Sequence, residues 1–148
     1  MFTADNPASA TDIFVASSSQ DANAWLQLNG SRYRTPIFFL ITGRVPEKYH
    51  AEYIQPYAQN RKLHFLFSKD DTGALCDLKL ASYIRNKPLK ISYQQNHYNI
   101  HFENRNYQFD KLSLNALEKA SGYNFRIRTH KPKKANTYHE QLHSRYST

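Results

Sequence analysis

One stretch, residues 62–81, limits the possible folds more than any other part of the sequence. It begins with an apolar run typical of a buried strand, and the run stops at Asp70, Asp71 and Gly73. Leucines and alanines at helical spacing then continue to about residue 86. A strand, an acidic tip and a helix form half of a parallel α/β unit, whose ligands bind at the carboxyl ends of the strands. The sequence therefore predicts that a site, if present, is centred on Asp70 and Asp71.

The same order of strand and helix occurs three times within residues 11–87. Apolar runs at 12–16 and 36–42 are each followed by a segment whose apolar residues recur at helical spacing. Serines precede the first of these helices and Pro46 precedes the second, as is typical of helix starts. This rhythm predicts an α/β fold in which helices flank a parallel sheet through right-handed crossovers.

The pattern changes in the second half of the chain. Residues 88–122 show alternating apolar positions separated by turn-like segments and then a short helical segment, which predicts an antiparallel β-meander inserted in the fold. Residues 123–129 alternate again and predict the last strand, and residues 130–148 form a basic tail. With 148 residues, the chain is expected to form a single domain over 1–148.

Composition favours an anionic partner. The formal net charge is +8 and the sequence pI is about 9.6, a balance most common in proteins that bind nucleic acid. The lone Cys76 excludes an internal disulfide. No stretch has the length and apolarity of a membrane span, and no secretory leader is recognisable, so we expect no membrane partner and a reducing cytoplasm as the location.

Cationic and aromatic side chains interleave in the second half, as in proteins that track phosphates and stack bases. An equally simple interpretation gives the aromatic residues to the core and the cations to solvent, with one face of the sheet for each. The predicted nucleic-acid contacts are the cations that crowd the last strand and its exit, with two more at the rim: Arg126, Arg128, Lys131, Lys133, Lys134, Arg32 and Arg34.

The order of these segments resembles a Toprim domain, the topoisomerase-primase fold. The resemblance covers most of residues 11–87 and is carried by residues 13–17 (IFVAS), 41–43 (ITG) and 67–73 (FSKDDTG). It is strongest to the Toprim-like proteins that accompany primases and mobilisation enzymes of plasmids and conjugative elements. The resemblance implies DNA, more than RNA, as the nucleic acid, and a replication or mobilisation protein as a further partner. In that family, acids at two strand ends hold magnesium for phosphoryl transfer or DNA cleavage.

The acidic pattern of that family is mostly missing from this chain. The position of its glutamate falls on Ala16 or Ser17, and that of its first aspartate falls on Ser68. Asp70 alone occupies an acidic position of the family, and Asp71 is an additional acid beside it. Metal-assisted phosphoryl chemistry needs several acids that converge on the ion, so the sequence predicts a degenerate site and no cofactor. The simpler role for the two aspartates is to cap the following helix.

Three hypotheses follow from the sequence. The first is a non-catalytic Toprim-like module that binds nucleic acid through its basic second half. The second is a magnesium-dependent nuclease or primase-type enzyme that uses Asp70 and Asp71, for which a nearby acid must converge on Asp70. The third is a protein-interaction or inhibitor module that uses the tyrosine-rich meander, since tyrosine is enriched at interfaces. Residues 139–143 also match the His-Glu-x-x-His pattern of zinc proteases, but they lie in a polar tail with no third ligand downstream.

Overall fold

The computed structural model describes residues 3–146, and within them the chain has an α/β fold with two separate sheets. The parallel sheet has the order β2-β1-β3-β7, from β1 (Asp12–Ala16), β2 (Ile37–Ile41), β3 (Lys62–Phe65) and β7 (Ile127–Thr129). The antiparallel sheet has the order β4-β5-β6, from β4 (Leu89–Gln94), β5 (His97–Phe102) and β6 (Arg105–Phe109). The predicted fold class, a parallel sheet flanked by helices with an antiparallel insertion, is confirmed.

The three helices that the strand-then-helix rhythm predicts are present, and two more follow in the second half of the chain. They are α1 (Ser19–Asn29), α2 (Lys48–Ile54), α3 (Asp71–Arg85), α4 (Leu114–Ser121) and α5 (Tyr138–Tyr146). Single turns of 3-10 helix cover Pro7–Ser9, Gly30–Arg32 and Gln55–Tyr57. Residues 1–2 and residues 147–148 of the predicted domain lie outside the described residues, and the latter two are the end of the basic tail.

Side-chain caps fix where the helices begin. The hydroxyl of Ser18 accepts a hydrogen bond from the backbone N–H of Asp21, and Ser113 caps α4 in the same way. Before α2, Glu47 and His50 form a reciprocal capping box, so that helix begins two residues later than Pro46 suggests. These caps satisfy backbone donors that the first turn of a helix leaves without partners.

The two faces of the parallel sheet bury different cores, because successive strand residues point to opposite sides. On one face, Ile13, Val15 and Phe65 pack under α2, α3, α4 and the antiparallel sheet. On the other face, Phe14 packs against Trp25 of α1, and α5 covers the same cluster through Tyr138. The second half of the chain therefore completes both layers of the fold.

The last strand is shorter than the alternation of residues 123–129 predicts. It pairs with β3 only over Ile127–Thr129. Arg126, just before it, has a left-handed backbone (φ 58°), and its N–H donates to the side-chain oxygen of Asn124 at 2.8 Å. This turn keeps Phe125 buried but removes residues 123–126 from the ladder, because a left-handed residue cannot continue a strand.

After β7 the chain crosses the carboxyl edge, which we define as the end of the parallel sheet where its strands finish. The N–H of His130 donates to the carbonyl of Phe65, and that of Lys69 donates to the carbonyl of Asn136. Further along, the N–H of His139 donates to Asp21 of α1 at 3.1 Å. The tail thus closes the carboxyl edge. None of the helices within residues 3–146 combines the length and apolarity needed to cross a membrane.

Candidate nucleic-acid interface

Asp70 caps helix α3 and joins it to the tail. Its carboxylate accepts hydrogen bonds from the Ser68 hydroxyl (2.6 Å), the Gly73 N–H (3.0 Å) and the Asn136 amide (2.8 Å). The hydroxyl of Ser68, followed by the N–H of Gly73, holds the pKa of Asp70 below its ordinary value. A Cβ at Gly73 would collide with the carbonyl oxygen of Ser68, so this turn requires glycine. The sequence suggested that Asp70 either binds a metal or caps the following helix, and the structure shows the cap.

Asp71 faces away from the carboxyl edge toward the antiparallel sheet. Its carboxylate accepts a hydrogen bond from the Tyr98 hydroxyl at 2.7 Å, which raises the pKa of that tyrosine. The bond links α3 to β5 at the surface of the molecule.

The other acids that the enzyme hypothesis requires are held elsewhere. Asp12 contacts His64, Asp21 contacts Ser17 and Ser18, Glu47 caps α2, and Asp77 contacts Lys131. Among residues 3–146, three or more His, Cys, Asp or Glu side chains never gather in a way that could hold a metal ion. Both carboxylate oxygens of Asp70 already accept hydrogen bonds, so the arrangement does not fit the magnesium that the Toprim resemblance implies.

Lys131, predicted as a nucleic-acid contact, is committed to the interior of the carboxyl edge. Its ammonium lies 2.6 Å from the carboxylate of Asp77 and donates to the carbonyls of Phe67 (3.1 Å) and Ser68 (2.9 Å). Burial raises the pKa of Asp77 to about 6, while the adjacent ammonium favours its ionised form. The second carboxylate oxygen of Asp77 has no hydrogen-bond partner among the described residues, so the pair depends on Lys131.

The remaining tail residues of interest also lie at the carboxyl edge. Lys133 and Lys134 are exposed, and the ammonium of Lys69 donates to the carbonyl of Lys133 at 3.2 Å. On α5 the rings of His139 and His143 lie 4.4 Å apart, and the part of the chain that the structure describes supplies no third ligand to them. The His-Glu-x-x-His pattern therefore lacks the ligand set of a zinc site.

Arg126 and Arg128 lie together in a different place, beside β7. They line an open groove, the β7 groove. Its other polar lining residues are Arg61, Lys62, His64, Asn115, Asn124 and Thr129. The groove has four cationic residues, and its lining, all within the described residues, includes no carboxylate. Because β3 and β7 are parallel neighbours, the residues that precede both strands meet at one end of the sheet, which we call the amino edge.

His64, which lines the β7 groove, belongs to a chain of hydrogen-bonded polar groups. His64 contacts Asp12 through Nε2 at 3.1 Å and His130 through Nδ1 at 2.8 Å. Since a carboxylate only accepts, His64 donates from Nε2, and its Nδ1 accepts the Nε2–H of neutral His130. Thr35 donates to the other oxygen of Asp12 at 3.2 Å, and the ring of Phe14 stacks on His64.

Both histidines resist protonation. Burial lowers the pKa of His64, and burial together with the charges of His64 and Arg128 lowers that of His130 to about 4. A positive charge on His64 would also be repelled by the nearby charge of Arg128. The two histidines are therefore neutral at pH 7 and add no positive charge to the groove.

The predicted rim residues, Arg32 and Arg34, are not among the residues that line this groove. Burial raises the pKa of Tyr33, and the positive charges of Arg128 and Arg32 partly offset this rise. Arg32 is therefore near Tyr33, but it does not line the groove. Arg34 is exposed and follows Tyr33 in the same segment.

The structure does not bring the seven predicted cations together. Arg126 and Arg128 line the β7 groove with Arg61 and Lys62, whereas Lys131, Lys133 and Lys134 lie at the carboxyl edge. Arg32 and Arg34 belong to neither set. Sequence reasoning did not single out Arg61 and Lys62, because two cations before an apolar strand look like ordinary solvated residues. Only the pairing of β3 with β7 places them opposite Arg126 and Arg128.

Comparisons of the chain with protein-family models, with curated proteins and with solved structures found no match.

Proposed function

We propose that the chain is a non-catalytic nucleic-acid-binding module that holds the sugar–phosphate backbone of DNA in the β7 groove. One observation carries the proposal: Arg61, Lys62, Arg126 and Arg128 line a single groove without a carboxylate among its described lining residues. Arg61 donates to backbone carbonyls, but none of the four cations is paired with a carboxylate among the described residues. Cations on one surface without acidic partners attract a polyanion, and binding is favoured by release of its counterions.

The expected mechanism is contact with phosphates rather than with base edges. Four cations that each neutralise one phosphate predict a slope of about −3 to −4 for log affinity against log salt. Contacts of this kind fix the orientation of the nucleic acid and carry no sequence information. Binding in the groove is therefore expected to be strongly salt-dependent and tolerant of sequence.

The proposal includes a degenerate Toprim-like origin, with a role in replication or mobilisation of a mobile element and a cytoplasmic location. Its support is the resemblance of residues 11–87, the order of strands and helices, and the absence of acids at Ala16 and Ser68. The enzyme alternative, with magnesium on Asp70 and Asp71, has less support because Asp70 caps a helix and Asp71 binds Tyr98.

Fluorescence anisotropy with labelled duplex and single-stranded DNA, across a salt series with and without magnesium, tests the proposal. The variant Lys62→Gln/Arg128→Gln removes two charges from the groove, and Lys133→Gln/Lys134→Gln removes two charges from the carboxyl edge as a matched control. We expect at least a tenfold loss of affinity for the groove variant and less than a threefold loss for the control.

Equal losses of affinity in both variants would show that binding depends on the net charge of the protein rather than on the groove. An absence of binding at low salt would overturn the proposal. Magnesium-dependent cleavage that disappears in Asp70→Asn would favour the enzyme alternative.

A further inference from the structure

A second cavity at the amino edge adjoins the β7 groove. This amino-edge cleft has a volume of about 940 Å³, which is within the range of small-molecule binding sites. Its polar wall includes Arg61, Arg85, Arg126, Asn60, Asn86 and Asn124. It shares Arg61, Asn124 and Arg126 with the β7 groove, so the two cavities are adjacent.

The topology explains why these residues meet. Asn60 and Arg61 immediately precede β3, and Asn124 and Arg126 immediately precede β7. Helix α3 runs back from the carboxyl edge and ends at Arg85, with Asn86 as its left-handed C-cap. Three separate segments therefore converge on the cleft, which suits a ligand that is contacted from several sides.

The guanidinium groups of the cleft are positioned but not neutralised. Nε of Arg85 donates to the carbonyl of Phe125 at 2.7 Å, which fixes the orientation of its guanidinium plane. Burial and the charge of Arg126 lower the pKa of Arg85, so an anion at this point would offset an unfavourable local charge. Glu52 is the one carboxylate of the cleft wall, and within residues 3–146 it makes no ion pair with Arg61, Arg85 or Arg126.

Arg126 stands in a strained conformation where the cleft meets the groove. Its left-handed backbone costs about 1–2 kcal/mol for a residue with a side chain. The side-chain oxygen of Asn124 stabilises this conformation by accepting a hydrogen bond from the N–H of Arg126. Strain of this kind persists at positions where the direction of a side chain matters. The conformation places Arg126 on the wall of both cavities.

Amide side chains form the rest of the polar wall. The amides of Asn60 and Asn86 make no side-chain hydrogen bond within the described part of the chain, and each offers both a donor and an acceptor. Donor–acceptor pairs of this kind match the edges of nucleobases, which present the same alternation. The cleft therefore combines groups for a phosphate with groups for a base.

From this combination, and on the basis of the proposed function, we propose that the cleft takes one unpaired nucleotide of a single strand whose backbone continues in the β7 groove. The phosphate lies between Arg85 and Arg126, and the base lies among Asn60, Asn86 and Asn124. A base in a duplex is paired and stacked, so it cannot enter the cleft without the cost of extrusion. The module is therefore selective for single strands.

The test compares three labelled probes of equal length and charge per strand: a single-stranded oligonucleotide, the same sugar–phosphate chain without bases, and the duplex. We expect the complete single strand to bind at least fivefold more tightly than either of the others at the same salt concentration. The chain without bases separates base recognition from attraction to phosphate, because it keeps every phosphate.

Two variants locate this preference in the cleft. Arg85→Gln is expected to weaken binding of the complete single strand about fivefold to tenfold, and Asn60→Ala about threefold, whereas both leave duplex binding within twofold. Asn60→Ala removes no side-chain hydrogen bond within the described chain, so it keeps the test decisive even if Arg85→Gln fails to fold. Lys133→Gln serves as the control for loss of one charge.

Equal affinity for the complete single strand and the chain without bases would overturn the cleft proposal and leave the groove proposal intact. The same holds if Asn60→Ala weakens all three probes alike. If none of the probes binds at low salt, the proposed function fails and the cleft proposal fails with it.

Discussion

The two ends of the parallel sheet treat their charged residues in opposite ways. At the carboxyl edge, Asp70 accepts three hydrogen bonds, Lys131 is bound to Asp77, and the tail covers the strand ends. At the amino edge, the guanidinium groups of Arg85 and Arg126 approach each other in an open cleft. At the carboxyl edge the buried charges have partners within the fold, although Lys133 and Lys134 are exposed, whereas the cations of the amino edge have no acidic partner among the described residues.

This difference shows that the type of a residue does not identify a binding site unless the partners of its side chain are also known. Acids at the end of a parallel strand are in the usual place for a ligand, yet here they hold a helix and the tail. No general rule predicts a ligand site from cations at the opposite edge of the sheet. The closed edge is therefore expected to control stability, and the open edge is expected to control binding.

The largest effect is expected from breaking the ion pair at the closed edge. Lys131→Met leaves the buried carboxylate of Asp77, which is only 2% exposed, without its cation. We expect a loss of about 3 kcal/mol in the free energy of unfolding, the lower end of the range for a buried pair, because Lys131 is 28% exposed. Urea unfolding at pH 7 measures this loss.

The double variant Asp77→Leu/Lys131→Met is expected to recover most of that stability, because it leaves no buried charge. Lys133→Met at the same edge is exposed and serves as the control, with a change within about 0.5 kcal/mol. If Lys131→Met costs no more than the control, the carboxyl edge is not held by this pair.

The hydrogen-bonded pair His64 and His130 predicts an acid-sensitive fold. An unfolded chain takes up protons on histidine near pH 6.5, whereas folded His130 does so only near pH 4. A lowered folded pKa means that stability is complete above pH 6.5, falls as the pH falls toward 4, and changes little from this source below that. After allowance for partial exposure, we expect a loss of about 1–2 kcal/mol across this window.

The variant His130→Phe removes one of the two groups and is expected to flatten the pH dependence between 6.5 and 4, as measured by urea midpoints at several pH values. His101→Gln is the control, since His101 is exposed and its side chain hydrogen-bonds to Asn106 at the surface. An unchanged pH dependence in His130→Phe would show that the pair does not resist protonation in the folded chain.

A smaller loss is expected from the acidic tip. Asp70→Ala removes the N-cap of α3 and the bonds to Ser68 and Asn136, with a cost of about 1 kcal/mol to the free energy of unfolding. Its affinity for DNA is expected to stay within twofold of the unchanged protein, since the residue lies at the closed edge. A tenfold loss of affinity with little loss of stability would instead move the site to this edge and undo the comparison.

Local signals in the sequence sufficed for most of the architecture. The apolar runs that form β1, β2 and β3, the serine caps and the alternation of β4 to β6 each depend on neighbouring residues, so the fold class followed from them. The last strand was overestimated because Tyr123 and Phe125 alternate as strand residues do, while the left-handed turn at Arg126 depends on Asn124 and on packing.

The candidate site depends on long-range contacts, and the sequence therefore predicted it only in part. Arg126 and Arg128 were singled out by their density along one strand. Arg61 and Arg85 lie 65 and 41 residues before Arg126 in the chain, and only the pairing of β3 with β7 and the return of α3 bring them to it. The ion pair of Asp77 with Lys131 has the same origin, since no local pattern marks two residues that meet across the carboxyl edge.

The smallest expected change in stability is a gain, and it sharpens the comparison most. Arg126→Gly relieves the left-handed backbone and is expected to raise the free energy of unfolding by about 0.5–1 kcal/mol, while it weakens single-strand binding at least fivefold. Asn104→Gly, at another left-handed position in the turn between β5 and β6, is the matched control and is expected to leave binding unchanged. Urea unfolding and anisotropy on the same samples measure both quantities. A variant that folds more stably and binds more weakly would show that the amino edge retains strain for the sake of binding. If Arg126→Gly binds as well as the unchanged protein, the conformation of Arg126 has no part in recognition, and the open edge loses its central residue.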